Sequence, residues 1–177
     1  MFIKYFIILV LGIFLIFFTK NKLSYDYLNK TPNSVVNIEN SIFANQLKNS
    51  KLLSNQLSKK VIILHFWASW CAPCVSEFSD LNNLLSTQSI NKDFIFIIVS
   101  LDQDVKDRDR FLINFKSISK FVDLNLLDES SKIFSEFSGE KLPVTYVIKN
   151  FSIQRSYIGA SDWISVFKTA KDLSNAK

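Results

Sequence analysis

One stretch of fourteen residues, VIILHFWASWCAPC at 61–74, restricts the fold of this chain more than any other part of it. Its first seven residues form an almost unbroken apolar run, as expected for a short strand buried on both faces. A three-residue connection follows, and then Cys71 and Cys74. Beyond them apolar residues recur at Val75, Phe78, Leu81 and Leu85, a spacing that predicts a helix over 73–86. Strand, tight connection and helix open an α/β unit, with both cysteines in the first turn of the helix.

These are the only two cysteines among 177 residues. A disulfide scaffold needs more of them, spread along the chain. One C-x-x-C together with the single histidine, His65, falls short of the four ligands of a structural zinc site. Redox work is the explanation that remains, and its placement suits it. The free amides and dipole of a helix N-terminus favour a thiolate, which is the attacking species. The three-residue step brings both sulfurs to one side of the first turn. Pro73 fits there because its missing N–H costs nothing. Cys71, at the exposed end, is expected to attack, and Cys74, one turn deeper, to resolve the mixed disulfide.

The remaining pattern predicts strands at 94–99 (FIFIIV), 144–148 and 153–158, the last two joined by a turn at 149–152. Helices are expected at 105–115, 130–137 and 162–173. This is an α/β sandwich with parallel and antiparallel parts. Upstream the signal is weak: Val35, Val36 and Ile38 suit a strand, and 45–57 a short helix. The charged run DQDVKDRDR at 102–110 is no EF-hand loop, since Lys106 and Asp107 occupy its fifth and sixth positions, where a ligand and a glycine belong. It reads as a solvated helix start.

The chain divides into an apolar N-terminus (1–20), a polar linker (21–33) and one globular domain (34–177), for which 48% hydrophobic content is ample. The run YFIILVLGIFLIFFT at 5–19 lies between Lys4 and Lys20. It is read as an uncleaved membrane anchor, or as a signal peptide, although no small-x-small cleavage site follows. Lysines on both sides leave its orientation open; with the N-terminus inside, the domain lies outside the cytoplasm. Four lysines and one aspartate in the first thirty residues carry +3 of the net +5, leaving too little charge elsewhere for a nucleic-acid surface.

The stretch FWASWCAPC resembles the signature of the thioredoxin superfamily, and specifically of its membrane-tethered TlpA/ResA-like branch. Leu142-Pro143-Val144-Thr145 resembles that branch's cis-proline loop, 100–137 its central insertion, and Gly159 with Trp163 its C-terminal strand-to-helix passage. The resemblance covers roughly 61–173. It lacks the glycine-containing hairpin that usually precedes the first strand. It implies a thioredoxin-like fold, with a central mixed sheet flanked by helices behind an N-terminal membrane helix. It implies a redox-active Cys71–Cys74 disulfide, a cis bond before Pro143, and a substrate backbone held by Leu142, Pro143 and Trp70. Glu77 matches a glutamate of the branch that raises the cysteine pKa or relays a proton; otherwise it is a solvated helix residue. His65 stands where thioredoxin has a buried aspartate, and it is either a proton relay to Cys74 or a neutral core residue. The implied activity is extracytoplasmic protein-disulfide reduction at the inner or plasma membrane without cofactor or metal. The implied partners are a protein disulfide such as apocytochrome c, in cytochrome c maturation, and a membrane thiol-electron donor. The rival readings are a disulfide oxidase or isomerase, and a non-catalytic dithiol handler of copper or another metal.

Overall fold

The computed structural model describes residues 38–49, 60–90, 92–137 and 139–176. The expected membrane helix, the linker and the Val35–Val36 strand lie outside the described residues. Among the described residues no helix is long and apolar enough to cross a membrane. Five strands form one mixed sheet: β1 (Val61–Trp67), β2 (Phe94–Ser100), β3 (Leu124–Leu127), β4 (Val144–Lys149) and β5 (Ser152–Ile158). Their order is β3-β2-β1-β4-β5. β1, β2 and β3 run parallel, whereas β4 is antiparallel to both β1 and β5. β1 and β2 are buried at every position, which is why both read as unbroken apolar runs.

Helices cover both faces. On one side lie α2 (Ala72–Thr87), α3 (Val105–Leu112), α4 (Lys116–Phe121) and α6 (Trp163–Asn175); on the other lie α1 (Ile42–Asn49) and α5 (Lys132–Glu136). The alternation of β1 divides the core between them. Trp67 packs against Phe78 of α2 and Phe111 of α3, with ring centroids 4.5 and 5.0 Å away. Phe66 points the opposite way, toward Phe134 and Phe137. Such aromatic pairs add about 0.5–1.5 kcal/mol each beyond burial.

The structure departs from these expectations in three places. The helix expected over 105–115 stops at Leu112, and a second one starts at Lys116. The break is stabilised by side chains: Asn82 Oδ1 accepts from the Ser117 N–H, and Ser119 Oγ donates to the Leu112 carbonyl. The edge strand β3 has no counterpart in the sequence reading. Four half-buried residues, Leu-Asn-Leu-Leu, are too few to show a period, and parallel pairing with β2 makes them a strand. Upstream, the helix begins at Ile42 rather than Asn45, with Glu136 accepting from the amides of Ile42 and Phe43 at its free end. Ile38 is not in a strand; its N–H donates to the Phe151 carbonyl.

Candidate active site

The C-terminal ends of β1 and β2 lie side by side, Trp67 opposite Ser100, and the cysteines follow directly from β1. Cys71 is the N-cap of α2: its backbone is extended, and its Sγ accepts from the Cys74 N–H at 3.3 Å. Pro73 lies in the first turn. The two cysteines form a disulfide. Cys71 retains 6% of its exposure and Cys74 none, while the neighbouring Trp70 is 67% exposed. One sulfur therefore borders solvent and the other is sealed beneath it.

The connection between strand and helix is held by a residue that the sequence reading placed elsewhere. Asp102, expected in a solvated helix start, is 1% exposed. Its carboxylate accepts from the Ser69 N–H at 3.1 and 3.2 Å, from Ser69 Oγ at 2.7 Å and from Ser100 Oγ at 2.5 Å. These bonds tie the turn before Cys71 to the end of β2. The solvated N-cap of α3 is Asp104 instead, which accepts from the Lys106 N–H.

The Leu142–Pro143 bond is cis, in keeping with the resemblance. Pro143 is buried and Leu142 half-buried at the start of β4. The Pro143 carbonyl accepts from the Gly159 N–H at 2.8 Å, which ties the proline loop to the end of β5. Gly159 has φ +89°, a conformation that L side chains rarely adopt, and no other atom crowds its Cβ position. Glycine is therefore required there for its backbone and not for space.

Behind Cys74 lies a buried polar group that the expectations captured only in part. Glu77 is 2% exposed rather than solvated. Its Oε1 accepts from the Ser161 N–H at 2.9 Å, and its Oε2 has no hydrogen-bond partner. Burial pushes its pKa up to about 8; the bonds from Ser161 oppose that, and the charge of Asp80 adds to it. His65 is fully buried and, through β1–β4 pairing, directly opposite Thr145. Its Nδ1 lies 2.9 Å from Thr145 Oγ1, which in turn lies 3.1 Å from Ser161 Oγ. Burial pushes the imidazole down to about 3, so it is neutral at physiological pH. The His65 Nε2, also without a hydrogen-bond partner, faces Glu77 Oε2 at 4.0 Å, between the rings of Phe78 and Trp163. At neutral pH the carboxyl keeps its proton and the imidazole is neutral, so the pair carries no charge.

Cys71, Cys74 and Glu77 thus share the first turns of α2, and Glu77 faces His65, with Trp70 exposed next to Cys71 in the chain. Asp102, Thr145 and Ser161 were not foreseen. The aligned ends of β1 and β2 could have pointed to 100–102, but Thr145 and Ser161 carry no spacing signal.

A thioredoxin-like family model matches residues 58–151, more than half of the chain. The chain is 29% identical over 117 residues to the thiol-disulfide oxidoreductase ResA of Bacillus cereus, a match covering 64% of this chain and 63% of that protein. Among solved structures, StoA from Bacillus subtilis superposes with a TM-score of 0.51 at 18% identity, over 64% of this chain and 84% of that one. A secreted thiol-disulfide isomerase from Corynebacterium glutamicum does so with 0.53 at 20% identity, over 70% and 75%. These two likenesses concern the fold. With the family match spanning the first strand, the cysteine pair and the proline loop, the chain belongs to the thioredoxin-like family.

Proposed function

We propose that the protein is an extracytoplasmic thiol-disulfide oxidoreductase, tethered by its N-terminal apolar run and acting as a protein-disulfide reductase. The observation that carries this reading is the half-sealed cysteine pair at the head of α2, above a buried carboxyl. In the forward direction the Cys71 thiolate attacks a substrate disulfide, forming a mixed disulfide and releasing one substrate sulfur. Cys74 then loses its proton and attacks Cys71 Sγ. The second substrate sulfur leaves, the substrate holds two thiols, and the enzyme ends as the Cys71–Cys74 disulfide. Glu77, one helical turn beyond Cys74, is the acceptor for the Cys74 proton. A membrane thiol donor returns the enzyme to its dithiol form.

Trp70, Leu142 and Pro143 form the substrate face. A groove of ≈ 440 Å³ runs beside Trp70, the residue before Cys71, past Leu101 and Glu129, and gives room for part of a polypeptide. The ResA match supports the oxidoreductase activity, and the resemblance to the tethered branch supports apocytochrome c as substrate. A helix N-cap alone favours the thiolate and so a more oxidising pair, which keeps the oxidase reading as the rival. The test is capture: Cys74→Ser, expressed in full length, should accumulate mixed disulfides with cysteine-containing proteins outside the cytoplasm. Capture of cytoplasmic proteins alone, or recovery of the chain from the soluble fraction, rejects the proposed location.

A further inference from the structure

Resolution by Cys74 creates a proton problem. While the mixed disulfide exists, the substrate covers the Cys71 side of the site. The proton taken from Cys74 therefore needs another way out. Glu77 is sealed, and it cannot accept a second proton until its first has left.

Behind it lies a row of polar atoms, hydrogen-bonded from His65 outward. Glu77 Oε2 faces His65 Nε2; the other ring nitrogen contacts Thr145 Oγ1, and Thr145 contacts Ser161 Oγ. Each of these groups both gives and takes a proton. Ser161 alone among them reaches the surface. It is half-buried and lines a groove of ≈ 300 Å³ with Asp80, Asp162 and Trp163, between α2 and the start of α6.

We propose that His65, Thr145 and Ser161 are a proton wire that connects the Glu77 carboxyl to this second groove, on a different face from the groove beside Trp70. The inference rests on the reading of Glu77 as the proton acceptor for Cys74.

The transfer balances. At the start Glu77 carries its proton on Oε2, and His65 Nδ1–H donates to Thr145, which donates to Ser161. The Oε2 proton passes to Nε2, the Nδ1 proton to Thr145, the Thr145 proton to Ser161, and the Ser161 proton to solvent in the groove. Glu77 is left as a carboxylate and His65 is neutral in its other tautomer. Only the Nε2–Oε2 gap of 4.0 Å must shorten, by about one ångström of side-chain rotation, to reach hydrogen-bond distance. The ionisable groups facing the mouth of the path are Asp80 from α2 and Asp162 from the cap of α6. From the sheet and α6 the path meets Thr145 and the neutral Trp163 ring. A histidine on a strand otherwise filled by apolar side chains is thereby given a use.

The test separates the two steps of exchange. The reduced full-length protein is mixed with oxidised glutathione, quenched with acid at intervals and weighed by mass spectrometry. Ser161→Ala keeps the main-chain N–H that holds Glu77 but removes the hydroxyl, which also bonds that carboxyl; Thr145→Val leaves both bonds in place and preserves shape in the buried strand. Both are expected to form the glutathione adduct at the wild-type rate and to resolve it about tenfold or more slowly. Added imidazole, a free base small enough for the groove, should restore resolution in Ser161→Ala, and Ser161→Thr should match wild type. If Thr145→Val resolves within about twofold of wild type while Glu77→Gln is slow, the wire through His65 is wrong whatever Ser161→Ala does, and Glu77 keeps its role. Slowing that neither imidazole nor Ser161→Thr relieves is structural and also overturns the wire. A Glu77→Gln protein that resolves at the wild-type rate removes the acceptor and the wire together.

Discussion

The carboxyl of Glu77 makes the stability of this protein depend on pH in a way that a single substitution should erase. Glu77 is 2% exposed, and burial lifts its pKa from 4.5 to about 8. In the unfolded chain it ionises near 4.5, so between these values the native state keeps a proton that the unfolded state has lost. Its contribution is fully present below about 4.5 and is lost as pH rises through about 8. His65 has the opposite sign. Its pKa falls from 6.5 to about 3, so its contribution is present above about 6.5 and is lost as pH falls toward 3. Between 4.5 and 6.5 the two slopes oppose each other; above 6.5 only that of Glu77 remains. One pKa unit corresponds to about 1.4 kcal/mol, so from pH 6.5 to 8 the native state should lose about 2 kcal/mol from this carboxyl. Glu77→Gln keeps the size of the side chain and an oxygen for the Ser161 N–H, but does not titrate. Urea unfolding of the oxidised protein across this range isolates the effect, because the disulfide-bonded cysteines do not titrate. The wild-type midpoint should fall with pH relative to that of Glu77→Gln. Parallel lines for the two proteins would refute the argument that Glu77 is folded in its protonated form.

Cys71→Ser should abolish disulfide exchange, and Cys74→Ser should retain the first attack and stop there, read by gel shift of trapped adducts; labelling of Cys74 before Cys71 in the reduced wild type reverses these roles. The Cys74 sulfur is fully buried, which disfavours its thiolate, so the reduction potential should lie nearer thioredoxin's about −270 mV than the strong oxidant's about −120 mV. Above about 8 Glu77 ionises and adds a negative charge one turn from Cys74, so Glu77→Gln should lower the thiol pKa and raise the potential above that pH, measured by thiol titration and glutathione equilibration. Asp102→Ala leaves the Ser69 amide and two hydroxyls without their acceptor and should cost about 2–3 kcal/mol, seen in chemical denaturation. It should also speed alkylation of Cys71 in the reduced protein, since the turn that shields that residue is no longer tied to β2; an unchanged rate would limit Asp102 to stability.

What the sequence made legible follows from how strongly each element is specified. β1 and β2 are buried throughout, so their composition alone marks them, and the cysteines at the head of α2 follow from the strand-to-helix passage. β4 and β5 were readable to within a residue at their ends. Their turn carries Asn150 and Phe151 at φ 51° and 58°, a conformation for which asparagine is a familiar signal and phenylalanine is not. β3 and the break between α3 and α4 were hidden because single long-range bonds decide them, from Asn82 and from the β2 edge. The site divides along the same line. Cys71, Cys74 and Glu77 share one helix, and their spacing announces them. Asp102 looked like part of a charged surface run, and only the register of Trp67 against Ser100 turns it inward. Thr145 and Ser161 are ordinary polar residues in sequence. They gain significance because the antiparallel pairing of β1 with β4 sets His65 opposite Thr145, and because the chain after Gly159 returns to Glu77. A buried polar group is costly unless it is partnered, yet in this core two such atoms face each other with no hydrogen-bond partner. A core selected for stability alone would place apolar side chains at His65 and Glu77. Their retention beneath a cysteine pair, with a hydroxyl path to the surface, fits a site whose task includes moving protons as well as electrons.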